Sequence, residues 1–229
     1  MKLQTTVISI VIVTAFISLI LVCINRKLRK FDPLSEPKGI VLAVIMGVQT
    51  IDKMVKENTN ERVAKFLTPY MLITITYIFL ANIAGLFSLE CPTSNFSVTL
   101  TLAFLTCVLI EVFSIKENGL RSYVHGLFEP FFPFVVMNLI SRVSTLLSLS
   151  MRLFGNIIAG SILMSIIYQL FGYVSSSLLP FLGQFNIIAV IVAPALHFYF
   201  DLFAGAMQAY VFTVLTISFI GKELPQKEN

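Results

Sequence analysis

The side chains able to do chemistry in this chain are few, and Arg152 leads them. It stands in 131–172, an otherwise apolar run whose one other charge is Arg142. An arginine at the centre of a membrane helix costs about 2.5–3.5 kcal/mol to insert, so its presence there marks a functional position. Its setting, Ser148-Leu-Ser-Met-Arg152-Leu-Phe-Gly-Asn156, contains no acid. The neutralising charge must come from another segment or another chain. At about 100° per residue, Ser141, Thr145, Ser148, Arg152 and Asn156 share one helical face. In 186–220, His197, Asp201 and Gln208 form a second polar stripe, with Gly205 between the latter two. A charge in hydrocarbon needs a partner, water or a bound proton. Asp201 is therefore a candidate proton carrier, and His197, one turn earlier, is a residue type that exchanges protons near neutral pH. The plain alternatives are a satisfied core histidine and, for Ser141, Thr145 and Ser148, hydroxyls bonded back to their own helical turn.

No phosphate-binding glycine loop, no histidine or cysteine cluster with metal spacing and no nucleophile elbow is present. The expected chemistry is movement of a proton or ion, with no cofactor, no metal and no bond-making within the chain. Cys23, Cys91 and Cys107, an odd number without metal-like spacing, are expected to be packing residues.

Those two stripes need a scaffold, and composition says which kind. Of 229 residues, 57% are hydrophobic and 12% charged. So much apolar surface fits an all-α, polytopic membrane protein forming a single membrane domain over 1–229. A first span is expected over 7–24, ended by Arg26-Lys27-Leu-Arg29-Lys30 and retained rather than cleaved. Over 35–65, apolar residues from Ile40 to Val55 return to one face while Lys53, Lys56, Glu57 and Arg62 occupy the rest. This is an amphipathic segment for the cytoplasmic surface or a partner helix. Residues 66–89 and 96–115 then read as a spanning hairpin (66–115) around Glu90-Cys-Pro-Thr-Ser-Asn95. The runs 131–172 and 186–220, separated by the uncharged stretch 173–185, exceed the ~20 residues of an upright span. Each is either a strongly tilted helix or a re-entrant hairpin, and Pro133 and Pro194 near their starts could bend the entry.

Charge placement orients the chain. Of 16 Lys and Arg, nine fall between Arg26 and Lys65, two in 116–129 and two after Ile220, which leaves only Lys2 for the opposite face besides the two intramembrane arginines. The positive-inside rule puts these basic segments in the cytoplasm. About five crossings follow if the last two runs each cross once, with the N-terminus outside and the C-terminus cytoplasmic. The net charge of +4 thus serves a membrane surface rather than nucleic acid. Glu111 and Arg142, near predicted span ends, are expected to snorkel.

The run Ser148-Leu-Ser-Met-Arg152-Leu-Phe-Gly-Asn156-Ile-Ile-Ala-Gly160 closely resembles the signature of subunit a of F-type ATP synthases. Phe79-Leu-Ala-Asn82-Ile-Ala-Gly85-Leu, Pro92-Thr93 and Val98-Thr99-Leu-Thr-Leu-Ala103 resemble that family's middle hairpin. Gln208-Ala-Tyr-Val-Phe-Thr-Val-Leu-Thr216 resembles its last helix. The resemblance covers the chain from Phe66 onward in the family's order. It implies a stator subunit in a bacterial plasma membrane, coupling transmembrane ion flow to ATP synthesis. The implied partners are a rotating c-subunit ring, peripheral-stalk b subunits and, indirectly, the F1 sector. It also implies two offset half-channels, the last two helices (131–220) tilted across the ring, and Arg152 as an ion gate meeting the ring's carboxylates. Asn156 and Gln208 match polar family positions near that arginine. Departures from the pattern are local. Ser161 stands where many members carry a titratable Glu or His, and Asp201 where they often have His or Glu, with His197 one turn away. Ser141-Arg142 and Thr145-Leu146 replace the acid and Lys-Pro elements common before the arginine. The competing readings are an autonomous carrier using Arg152 and Asp201, which predicts internal repeats not seen here, and a membrane scaffold without transport.

Overall fold

A computed structural model describes residues 2–29, 38–87, 91–128, 133–178 and 187–224. Among these every regular element is helical. Helix α1 spans Lys2–Arg29, α2 Ile40–Asn58, α3 Glu61–Ile83, α4 Phe96–Asn118, α5 Leu120–Phe128, α6 Phe134–Leu178, α7 Ile187–His197 and α8 Ala204–Glu223. Five stretches are long and apolar enough to cross a membrane: Val7–Arg29, Glu61–Leu86, Phe96–Asn118, Phe134–Ser177 and Ile188–Glu223. The chain is thus the expected all-helical, polytopic membrane protein.

Several boundaries differ from the sequence reading. The amphipathic segment expected over 35–65 ends at Asn58, and its residues 35–37 lie outside the described ones. The chain reverses at Thr59-Asn60, so α3 starts at Glu61 and carries Arg62 and Lys65 in its opening turns. Gly39, at φ 62°, opens α2, a conformation other residues adopt at a cost. Helix α2 finds its partners within this chain. Ile51 and Val55 pack with Val63, Leu67 and Met71 of α3 and with Ile217 and Ile220 of α8. Thr68 donates to Asp52 Oδ1 at 3.2 Å. Lys56 lies 2.6 Å from Asp52 Oδ2 and holds that carboxyl below the usual carboxylate range.

Helices α3 and α4 are consecutive yet both pack against α8. They touch one another through the Tyr70 hydroxyl and Thr106 Oγ1, 2.9 Å apart. A 3-10 turn over Ala84–Phe87 ends α3, and a second at Pro92–Ser94 precedes α4, whose N-cap Asn95 accepts from the Ser97 amide. A second core joins Ile78 of α3, Ala103 of α4, Leu149 and Leu153 of α6, and Ala209 and Phe212 of α8. Val13 and Ile17 attach α1 beside Ala84. Hydroxyls inside these helices donate to their own preceding turn, as Thr213 does to Ala209 and Thr216 to Phe212, which satisfies them without water.

The two long runs decide the architecture. Helix α6 continues unbroken for 45 residues, past the end expected at 172, so a re-entrant hairpin does not occur there. At 1.5 Å per residue it is about 67 Å long, against a hydrocarbon layer of about 30 Å, so it cannot stand upright within that layer. The last run is also continuous, from Ile187 to Glu223, with Pro194 inside α7 and a π-helical segment over Phe198–Phe203 joining α7 to α8. Such π turns recur at functional sites, and this one contains Asp201.

Candidate functional site

A cleft of about 1300 Å³, with polar and apolar side chains in its lining, opens where the end of α3, the segment before α4, α6 and the α7–α8 helix converge. Asn156 and Ser161 line it from α6, and His197, Asp201 and Gln208 from the last helix. Five of the seven residues singled out from sequence therefore share one space. The Asn156 side-chain amide donates to Gln208 Oε1 and links the two stripes directly. Gln208 is buried, and its Nε2 has no hydrogen-bond partner among the described residues. His197 Nδ1 lies 2.8 Å from Asp201 Oδ2, so the spacing of four on the last helix does produce a bonded pair.

Arg152 and Ser148 stand outside the cleft lining, one and two helical turns before Asn156 on α6. Ser148 is exposed, and Arg152 is partly exposed, with no ion pair or hydrogen bond among the described residues. Asp201 is turned to His197, and no bond joins it to Arg152. Exposed Leu147 and Met151 flank Arg152, while Leu149, Ser150 and Leu153 are buried against the rest of the bundle. The arginine thus belongs to the border of a face that no other part of the described chain covers. Ser161 donates to the Ile158 carbonyl at 2.9 Å, and Thr145 to that of Ser141 at 3.1 Å, as back-bonding hydroxyls do.

The cleft also contains residues that the two stripes do not reveal. Asn82, buried near the end of α3, donates to the Gly205 carbonyl at 3.3 Å and accepts from Thr93 at 2.7 Å. A Cβ on Gly205 would lie 2.8 Å from that of Asn82, so glycine permits the close approach of α3 and α8. Tyr168 of α6 bonds His197 Nε2 at 3.0 Å from 29 residues away, a pairing without local signal. Cys91 lines the cleft near Asp201, and burial, with the Asp201 charge adding to it, pushes its thiol up. Cys23 is exposed. The expectation that all three cysteines are packing residues therefore fails at Cys23, and Cys91, half-buried, lines the cleft.

A second cluster corrects the snorkelling expected of Glu111 and Arg142. Arg142 pairs with Glu111 of α4 and lies 3.3 Å from Glu223 of α8. Its guanidinium also sits 5.1 Å above the ring centre of Tyr123, whose hydroxyl donates to Glu111. Burial, together with that carboxylate, pushes the Tyr123 phenol up to about 12. The cluster lines two adjoining spaces of about 370 and 550 Å³ that share Ser141, Arg142 and Glu223. No group of three or more metal-ligating side chains occurs among the described residues.

Comparison with known proteins gives one family. The family model described as ATP synthase A chain matches residues 6–221. The chain is similar to ATP synthase subunit a of Streptococcus agalactiae, at 32% identity over 199 residues and 80% of each chain. It is similar to the subunit of the same name from Mycoplasma genitalium, at 30% identity over 86% of this chain and 71% of the relative. The Mycoplasmoides gallisepticum subunit is 28% identical over 97% of this chain and 79% of its own length.

Proposed function

Because the chain belongs to the ATP synthase subunit a family, we propose that it is the stator subunit carrying the proton path of a rotary ATP synthase. Arg152 is its ion gate. A c-subunit ring covers the face around Arg152, and each arriving ring carboxylate pairs with the guanidinium, gives up its proton, and cannot pass a proton straight through. Asn156, Ser161, His197, Asp201 and Gln208 line the half-channel that opens to the outer face, and Ser148 lies on the arginine's stripe. Peripheral-stalk b subunits hold the stator, the F1 sector receives the rotation, and the setting is a bacterial plasma membrane with the N-terminus outside and the C-terminus cytoplasmic.

One observation carries this reading: a face of α6 left uncovered by the described chain bears an arginine that the described chain does not pair, one turn from the cleft. Such a charge is too costly to keep without a counter-charge, and a passing carboxylate supplies it. One charge crossing the membrane is worth about 2.3 kcal/mol per 100 mV. A device that sums several such steps for each ATP is therefore required, as rotation provides. Replacing Arg152 by Lys in the intact complex tests the reading. Lysine keeps the charge but loses the planar fork that grips a carboxylate. The expected result is proton-driven ATP synthesis at the level of the undriven complex, with subunit composition unchanged. Synthesis within a factor of about two of the parent, a free-energy change under 1 kcal/mol, would rule the gate out.

A further inference from the structure

Resting on that function, we infer that Tyr168 is a positioning residue, which with His197 and Asp201 forms a three-membered hydrogen-bonded relay serving as the proton-collecting station of the outer cleft. Three elements build it: α6 brings the phenol, α7 the imidazole, and the π-helical segment the carboxylate. Both ring nitrogens are engaged, Nδ1 to Asp201 Oδ2 at 2.8 Å and Nε2 to the Tyr168 oxygen at 3.0 Å.

The tautomer follows from the chemistry. With Asp201 ionised, the neutral ring places its one N–H at Nδ1 and donates it to the carboxylate. Nε2 is then an acceptor, and Tyr168 must donate to it. When Nε2 takes a proton from hydronium in the cleft, releasing water, it becomes a donor, and the phenol oxygen, able to play either part, turns to accept. Nδ1–H can then pass to Asp201, which leaves the ring neutral, its remaining proton at Nε2. The proton entering at Nε2 is balanced by the one leaving Nδ1, so the net step turns one hydronium into water and leaves the proton on Asp201.

Other groups facing the pair do not compete. Among the described residues the cleft lining contains no lysine or arginine, and its remaining titratable group is the Cys91 thiol, which burial pushes up. Gln208, two turns along from Asp201, and Asn156 of α6, one turn from Arg152, line the same space, where the proton leaves toward the c-subunit ring's carboxylate. Ser161, whose hydroxyl is bonded to its own helix, is not needed as a titrating member.

The test uses the intact complex in proteoliposomes with its soluble sector outward, so that the lumen stands for the outer face. ATP synthesis is driven by a potassium diffusion potential, and lumenal pH is varied at constant total driving force. Tyr168→Phe keeps the ring and removes the hydroxyl. Its lumenal pH profile is expected to move by about half a unit to one unit, the size of one hydrogen bond's preference between two protonation states. His197→Gln is expected to flatten the same limb. Subunit composition should match the parent in both, and Tyr168→His, which restores a donor and acceptor, should recover part of the shift. A Tyr168→Phe profile superimposable on the parent's, whatever its height, overturns the relay. So does a parent profile indifferent to lumenal pH. Loss of synthesis in Arg152→Lys alongside an unmoved Tyr168→Phe profile sinks the relay alone, whereas retained synthesis in Arg152→Lys sinks the gate beneath it.

Discussion

Arg142 and Arg152 stand ten residues apart on one helix and meet opposite fates. Arg142 is enclosed by Glu111, Glu223 and the Tyr123 ring, all from other helices, whereas Arg152 has no partner among the described residues. The difference lies in what faces them: α4, α5 and α8 converge on the first and nothing described converges on the second. Tyr123 reports the first environment from α5, outside the candidate spans. Its phenol, pushed up to about 12, stays protonated in the folded chain while an unfolded one ionises near 10. The stability this contributes is complete below pH 10 and is lost as pH rises through about 12. In a phenolate absorbance titration of the folded protein, subtracting Tyr123→Phe from the parent should isolate one phenol ionising near 12. A difference signal centred near 10 would show that the Glu111 and Arg142 enclosure does not form.

At the scale of elements, two glycines set how closely α8 is approached. A Cβ on Gly221 would lie 2.6 Å from the Asn58 carbonyl oxygen, and that oxygen belongs to backbone that cannot swing away. Gly221→Ala should force the end of α2 off α8 and cost about 1–3 kcal/mol, the range of overpacked contacts. A clear drop in the denaturation midpoint in detergent is the expected result, and an unchanged midpoint would mean the contact is looser than described. The five candidate spans and the two long runs were legible from hydropathy because uninterrupted apolar sequence has no other way to satisfy its backbone in lipid. The α2–α3 reversal was not, since Lys53, Lys56, Arg62 and Lys65 carry the same polar signal across Thr59-Asn60. The π-helical segment around Asp201 was equally hidden, because an i→i+5 turn has no residue signature of its own. At the site, the His197–Asp201 pair followed from spacing on one helix. Its third member, Tyr168, came from another helix and could be found only in three dimensions.

For the whole molecule the open question is what covers α6, whose spanning window is only 6% buried within this chain, far less than the 39% of α3 and 33% of α4. Lipid suits Ile140, Val143 and Leu147, which are exposed there. It does not suit Arg152 and Asn156, and small residues beside them, Gly155 and Ala159, fit a second protein surface at close range. Gly155 is the discriminating position, because a Cβ there meets nothing within 4 Å in this chain, in contrast to Gly205 and Gly221. Gly155→Leu should leave the isolated chain's helicity and denaturation midpoint within experimental scatter of the parent. In the assembled complex the same leucine should jam the ring that the proposed function sets against this face. Overpacking of about 1–3 kcal/mol at that contact predicts a loss of proton-driven ATP synthesis of roughly fivefold to a hundredfold. If synthesis is instead undiminished while the chain is folded, that face meets lipid, and the counter-charge for Arg152 must be sought elsewhere.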